Sequence, residues 1–461
     1  MFSSDVYIER RKKLRPGLPG GIVLFIGNQE VPFNYPANTY AFRQDSNFSY
    51  FFGLDHPDLV GLIDLDHDQE WIFGNDIDID DIIWMGKQPT IKDQAALVGI
   101  VHSAPLKELK EVIRTACNQG RPIHFAPPYR GETILWLSDL LGIHHLEVGK
   151  RVSEPLVKNI IRLRMKKEAR EISEIEKMVD VAYQMHTTAM KMAKPGIVEQ
   201  EISGIIEGIA IAFGGAVSFP VILSINGQTL HNHNHGNTLK EGRMLVTDAG
   251  CENNFHYSSD ITRTVPVGGV FNARQKGIYE VVLAANLKGI EAMKPGVPFR
   301  DVHLLAATEI ARGLTALGIM KGNPEEAAAK GAHTLFFPHG LGHPLGLDVH
   351  DLEGMDENLV GYDNETIRSK EFGFSSLRFG RKLQEGFVMT IEPGIYFIPE
   401  LINIWKRENK FAEFINYPVV EAYRDFGGIR IEDDVLVTAD NHRVLGRPIP
   451  KTIQEIEEIM K

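Results

Sequence analysis

The chain repeats part of itself. The stretch "AMKMAKPGIVEQEISGIIEGI" at 189–209 is echoed by "GIEAMKPGVPFRDVHLLAATEI" at 289–310. Each is the end of a helix, then Lys-Pro-Gly, a short loop and another helix. The two Pro-Gly pairs, 195–196 and 295–296, lie one hundred residues apart. β-type segments carrying acids follow each copy. A repeat of this kind predicts a duplicated α+β unit, with a site where the halves meet.

At 461 residues the chain exceeds what one hydrophobic core usually serves, so two domains are expected. Residues 1–155 read as an α/β domain. "GGIVLFIGN" (20–28) and "LVGLIDLD" (59–66) are short, apolar and bounded by Gly or Asp, as buried strands are. The aromatic run "FRQDSNFSYFFGL" (42–54) predicts core packing. The character changes near 155, and 156–461 form the second domain. There "MKKEAREISEIEKMVDVAYQMHTTAMKMAKPG" (165–196) has helical apolar spacing and a Lys-Pro-Gly stop.

Composition removes several classes of function. A net charge of -12 without a long basic run argues against nucleic acid. Two cysteines exclude a disulfide framework and fit a reducing compartment. The N-terminus lacks the apolar segment of a signal peptide, and no apolar run approaches the ~18 residues a membrane span needs. A cytoplasmic protein without a membrane partner is expected.

The acids are the informative residues. "GRMLVTDAGCENNFHYSSDITRTVPV" (242–267) reads as a β-hairpin in which Asp248 and Asp260 are equidistant from Asn254. Pairing about that point sets them opposite each other, with Cβ atoms roughly 4.5–5.5 Å apart. Two like charges on a buried sheet cost several kcal/mol unless a cation intervenes. Exposed or capping aspartates, or a different register, are the alternatives. In the second copy, "GFVMTIEPGIYFI" (386–398) ends an apolar strand at Glu392. "GGIRIEDDVLVT" (427–438) alternates, placing Arg430, Glu432 and Asp434 on one face.

"HGLGHPLGLDVHD" (339–351) holds three histidines. His339 and His343 are four apart, but Gly340, Gly342 and Pro344 disfavour a helix and no Glu follows His339, so a helical zinc motif fails. The alternation of "GLDVHD" predicts Asp348 and His350 on one strand face. One histidine with four carboxylates is a mostly oxygen set, suited to a pair of Mn²⁺ or Co²⁺ ions, with Zn²⁺ as a further option. Cys251 is read as a small packed residue, and no nucleophile elbow or phosphate loop occurs.

Together these motifs resemble the metal-dependent Xaa-Pro peptidases, aminopeptidase P and prolidase, of the pita-bread family. The resemblance rests on Asp248 in "DAG", Asp260 in "SSDITRT", His343, Glu392 in "TIEPG" and Glu432 in "GIRIEDD". "FRQDSNFSYFFGL" and "IWMGK" (83–87) look like the N-terminal domain of these enzymes. The resemblance implies a creatinase-type α/β domain followed by a duplicated catalytic domain. It implies two divalent metal ions, Mn²⁺ first, held by those five residues, with Asp260 and Glu432 bridging. Two cations would lower the pKa of a shared water for attack on the scissile carbonyl. Glu392 would also shuttle the proton. His339 and His350 match histidines that contact substrate or the oxyanion, and Arg430 matches an arginine beside the last ligand. His231 fits the spacing of a further site histidine, ahead of His233 and His235.

The substrate implied is a peptide with proline at its second position, and relatives are commonly homodimers or homotetramers. A dipeptidase must bind a free carboxylate, usually with Arg. The stretch 397–428 resembles animal prolidase, yet its arginine is not matched: Arg407 or Lys410 is the nearest cation. The sequence therefore favours an Xaa-Pro aminopeptidase, with Xaa-Pro dipeptidase as the alternative. A catalytically dead scaffold of the same fold would have lost ligands, and none is lost here.

Overall fold

The computed structural model describes all 461 residues. They form two compact units. One comprises Met1–Arg164 with Gly354–Asp356, the other Met165–Glu353 with Glu357–Lys461. The boundary thus falls at the end of the helix Glu154–Met165, beyond the divide expected at 155.

The first unit is built on a mixed five-stranded sheet. Its strands are β1 (Ile22–Ile26), β2 (Val60–Asp64), β3 (Gln69–Phe73), β4 (His102–Ala104) and β5 (Ile123–His124), in the order β4-β3-β2-β1-β5. The two apolar runs read as strands are β1 and β2, paired antiparallel. Alternation sends Ile22 and Leu24 to one face. There they pack with Leu109, Ile113 and Ala116, one stripe of the helix Leu109–Asn118. Phe25 leaves by the other face and meets Phe51 and Phe52 at ring distances of 4.8 and 5.6 Å. The aromatic run is therefore core, on the short helix Ser46–Phe52 that Asp45 caps through the Phe48 N–H.

The second unit carries the repeat. In the first copy, α1 (Ala169–Met192) and α2 (Glu199–Phe213) lead to five strands: β6 (Gly215–Val217), β7 (Ile222–Ser224), β8 (Met244–Ala249), β9 (Cys251–Asn253) and β10 (Ile261–Pro266). In the second, α3 (Ala273–Glu291) and α4 (Phe299–Ala316) lead to β11 (Val388–Ile391), β12 (Gly394–Tyr396), β13 (Gly428–Arg430) and β14 (Asp433–Val437). The copies match in detail at Lys-Pro-Gly. Gly196 and Gly296 take φ of 92° and 86°, a region open to glycine. Their N–H groups donate to the Leu239 and Leu383 carbonyls at 2.9 and 2.8 Å, which starts an equivalent two-stranded bridge in each half.

The hairpin register differs from the expected one. β8 pairs with β10 so that Asp248 faces Thr262, and Glu252 bridges Ser258. The turn is centred on Phe255, not Asn254. Asn253 sets it there, since its side-chain oxygen accepts from the Phe255 and Tyr257 N–H groups at 2.9 and 3.2 Å. Moving a turn by one residue moves each partner by two and preserves which face a side chain occupies. Asp248 and Asp260 are therefore diagonal neighbours on one face. Residues 346–350 also depart from expectation. They form bends, not a strand, with the Gly346 N–H on the Asp348 carbonyl at 3.1 Å.

The segment carrying His343 lies beside β11. Thr390 N–H donates to the His343 carbonyl (2.9 Å), and Leu345 N–H to that of Val388 (3.0 Å). Gly342 makes this approach feasible, because a Cβ built on it would lie 1.9 Å from the Thr390 carbonyl oxygen. Gly342→Ala should therefore force the two segments apart at an overpacking cost of about 1–3 kcal/mol. A lowered thermal midpoint with weakened metal binding is expected, and an unchanged midpoint would show that the segment adapts.

Candidate metal centre

Each acid reaches the site from a strand end where the two copies join. Asp248 lies on β8, and Asp260 immediately precedes β10. Glu392 follows β11, and Glu432 sits between β13 and β14. The halves are tied by hydrogen bonds from backbone N–H groups across the sequence. Glu432 N–H donates to the Thr262 carbonyl at 3.0 Å, and Asp260 N–H to Asp434 Oδ2 at 3.0 Å. Arg263, on the opposite face of β10, donates to the Glu432 carbonyl (2.6 Å) and pairs with Asp433 (2.7 Å).

These ties bring ligand atoms of Asp260, His343 and Glu432 within 4.8 Å of one another, all in buried residues. His343 Nε2 lies 3.4 Å from Asp260 Oδ2 and 3.5 Å from Glu392 Oε1. Its other nitrogen, Nδ1, faces the Pro344 carbonyl at 3.1 Å. A carbonyl only accepts, so the ring carries its proton on Nδ1 and presents a lone pair at Nε2. Burial also holds the imidazole neutral, well below its ordinary pKa. His343 Nε2 and the carboxyl oxygens of Asp260 and Glu392 then converge on one space. Asp248 Oδ1 and Asp260 Oδ1 are buried with no hydrogen-bond partner. Orphaned buried acceptors in a cluster are what a cation satisfies.

The electrostatics agree. Burial pushes the Asp260 and Glu432 carboxyls well above the ordinary carboxylate range, and neighbouring carboxylates push further. Burial raises Glu392 to about 8. Only one guanidinium sits among them. Arg430 donates to Asp248 Oδ2 at 2.6 Å and to the Tyr396 hydroxyl at 2.9 Å.

Several contributors were not legible beforehand. Thr262 Oγ1 donates to Glu432 Oε2 at 2.7 Å and accepts from Arg430 Nε at 3.1 Å, fixing both. It stands in the quoted "SSDITRT", but only the register shows that it faces the acids. Tyr396 links Arg430 to His339 Nε2, 2.9 Å away, and His339 Nδ1 bonds the Gly340 carbonyl at 2.8 Å. Both nitrogens of His339 are thus engaged within the chain.

The remaining expected residues divide. The His350 ring lies 4.2 Å from that of His343, and its Nδ1 meets Glu353 at 2.6 Å. Of the three loop histidines, His231 has Arg430, Asp248 and His350 among its charged surroundings, whereas His235 bonds the Leu223 carbonyl. Lys410 Nζ lies over the Trp405 ring at 4.3 Å, and Arg407 ends the helix Pro399–Arg407. The arginine beside His343 and His350 is Arg378.

Comparison with known proteins gives the same class. Residues 173–439 match the metallopeptidase family M24, and residues 7–124 match the aminopeptidase P N-terminal domain. The chain belongs to metallopeptidase family M24. It is 31% identical to the Xaa-Pro dipeptidase of Homo sapiens, over 98% of this chain and 91% of that one. It is 32% identical to a probable Xaa-Pro aminopeptidase of Aspergillus fumigatus, over 98% and 94%. Aminopeptidase PepP of Pseudomonas aeruginosa superposes with a TM-score of 0.81 at 27% identity, covering 100% of this chain and 98% of that one. A zinc-substituted E. coli aminopeptidase P in complex with product gives 0.81 at 28% identity, over 100% and 98%.

Metal ligands must be deprotonated, so metal uptake by this cluster should release protons. With Glu392 near 8 and Asp260 and Glu432 raised, affinity should climb as pH rises and fall on acidification. Calorimetric titration of Mn²⁺ in buffers of different ionisation enthalpy reads this directly. In the same titration Thr262→Val should weaken binding by about 10–100-fold, the usual cost of losing a group that orients a ligand. Unaltered affinity would show that Thr262 does not orient Glu432.

Proposed function

We propose that this chain is a dinuclear metal-dependent exopeptidase that hydrolyses the Xaa-Pro bond at peptide N-termini, an Xaa-Pro aminopeptidase. The observation that carries the reading is the convergence of His343 Nε2, Asp260 Oδ2 and Glu392 Oε1 on one space. Asp248, Asp260, His343, Glu392 and Glu432 would hold two divalent ions. Four carboxylates and one imidazole favour Mn²⁺, with Co²⁺ and Zn²⁺ as alternatives. When bound, the ions supply a water of lowered pKa and a polarised carbonyl.

The chain's own groups supply the rest. Glu392 retains some solvent exposure and, with its raised pKa, is suited to passing a proton between the attacking water and the leaving nitrogen. Arg430 orients Asp248 and, through Tyr396, fixes the ring of His339. His350, anchored at Nδ1 by Glu353, offers Nε2 to substrate, and His231 completes that side from its loop. The net charge of -12 supports a partner that is not nucleic acid. No helix is long and apolar enough to cross a membrane. Free cysteines Cys117 and Cys251 support a reducing, cytoplasmic setting.

One observation favours the second reading, an Xaa-Pro dipeptidase. Arg378 lines the recess that adjoins His343 and His350, and a guanidinium is well matched to a free carboxylate. The deciding assay strips the protein of metal, restores Mn²⁺, and follows proline release from Ala-Pro and Pro-Ala release from Ala-Pro-Ala. Tripeptide cleavage with slow dipeptide turnover is expected. Cleavage of the dipeptide alone would establish the dipeptidase. No metal-dependent cleavage of either would overturn both.

A further inference from the structure

The recess beside His343 is lined by His343, His350, Glu353, Glu357, Val360 and Arg378 among others. It borders the acid cluster through His343 itself. A peptide whose scissile bond lies at the cluster has its next groups within reach of it, since one extended residue spans ~3.3–3.6 Å. The charges lining this recess decide which peptide ends it accepts.

Arg378 is already occupied. Its Nη1 pairs closely with Glu353 Oε1 and lies 3.0 Å from Glu357 Oε1. The second oxygen of Glu353 takes the His350 Nδ1 proton at 2.6 Å. The second oxygen of Glu357 pairs with Arg368, which also donates to the Ser375 carbonyl at 2.9 Å. Asp351, the remaining acid on the recess, is paired with Lys167 at 2.8 Å. Two guanidinium groups therefore meet two carboxylates, and no uncompensated cation faces the recess. A free C-terminal carboxylate arriving there must displace Glu353 or sit beside it. A peptide bond in the same place carries no charge and meets no such conflict.

We infer that Glu353 is a specificity-determining residue: an internal carboxylate that occupies Arg378 and so selects chain-extended peptides over dipeptides. It rests on the Xaa-Pro peptidase reading above. The Glu353 and Arg378 side chains are 44% and 32% exposed, so the pair is screened and the selection is graded, not absolute. Glu353 acts on substrate choice through Arg378 and holds His350 at the same time.

The test compares kcat/KM for Ala-Pro with that for its C-terminal amide, using the full chain loaded with Mn²⁺. The two substrates differ in the carboxylate alone. Glu353→Gln keeps an oxygen for His350 Nδ1 and removes the charge. It should raise the acid-to-amide ratio about tenfold, the usual strength of a charge-assisted hydrogen bond, mainly by lowering KM for the acid. Adding Arg378→Gln should return the ratio to the wild-type value. Should Glu353→Gln turn over neither substrate, calorimetric binding of the acid and the amide to the variant reads the same ratio. A ratio that stays within about twofold of wild type in both measurements overturns the inference. Wild-type protein that cleaves neither peptide overturns instead the reading on which it rests.

Discussion

Asp248, Asp260, Glu392 and Glu432 crowd the junction of the two repeated halves, with Arg430 the single guanidinium among them. Burying several carboxylates together costs several kcal/mol for each charge left uncompensated. The chain meets this in two ways. Burial raises the pKa values of Asp260, Glu392 and Glu432, which favours protons on them, and Arg430 pairs with Asp248. Divalent ions would complete the compensation and displace those protons. The hydrogen bonds from the Glu432 N–H to the Thr262 carbonyl and from the Asp260 N–H to the Asp434 carboxylate hold the acids together against their repulsion.

The surrounding groups follow from that crowding. Thr262 fixes one carboxylate and the guanidinium at once, so neither can turn away to solvent. Pro344 fixes the His343 proton through its carbonyl, which leaves Nε2 as a lone pair. His339 is anchored at both nitrogens, by Tyr396 and the Gly340 carbonyl, and His350 at one, by Glu353. Such anchoring lets a site meet substrate without first ordering its own side chains.

Much of this was legible in the sequence because it depends on local periodicity. The Lys-Pro-Gly echo gives the duplication, since a helix end and a positive φ glycine leave a mark within a few residues. Strand alternation places Arg430, Glu432 and Asp434 together, and the structure turns Arg430 and Glu432 to the acid cluster while Asp434 braces Asp260. The face shared by Asp248 and Asp260 also survives, because slipping a pairing by two preserves parity. The register itself was not legible, since Asn253 and Asn254 are equally good turn formers and only the folded ladder chooses. The links made by Thr262, Tyr396 and Glu353 depend on where loops and strands from distant segments meet. Arg378 was missed for that reason too: it lies upstream of Glu392, not between Glu392 and Glu432.

The central claim is that the cluster holds two ions sharing carboxylates. Electron paramagnetic resonance of the metal-free protein titrated with Mn²⁺ tests it most directly, because ions ~3.5–4 Å apart on shared carboxylates are magnetically coupled. The account predicts an isolated-ion spectrum with the first equivalent, replaced by a coupled spectrum as the second binds. Saturation at one equivalent, or two equivalents without coupling, would contradict it.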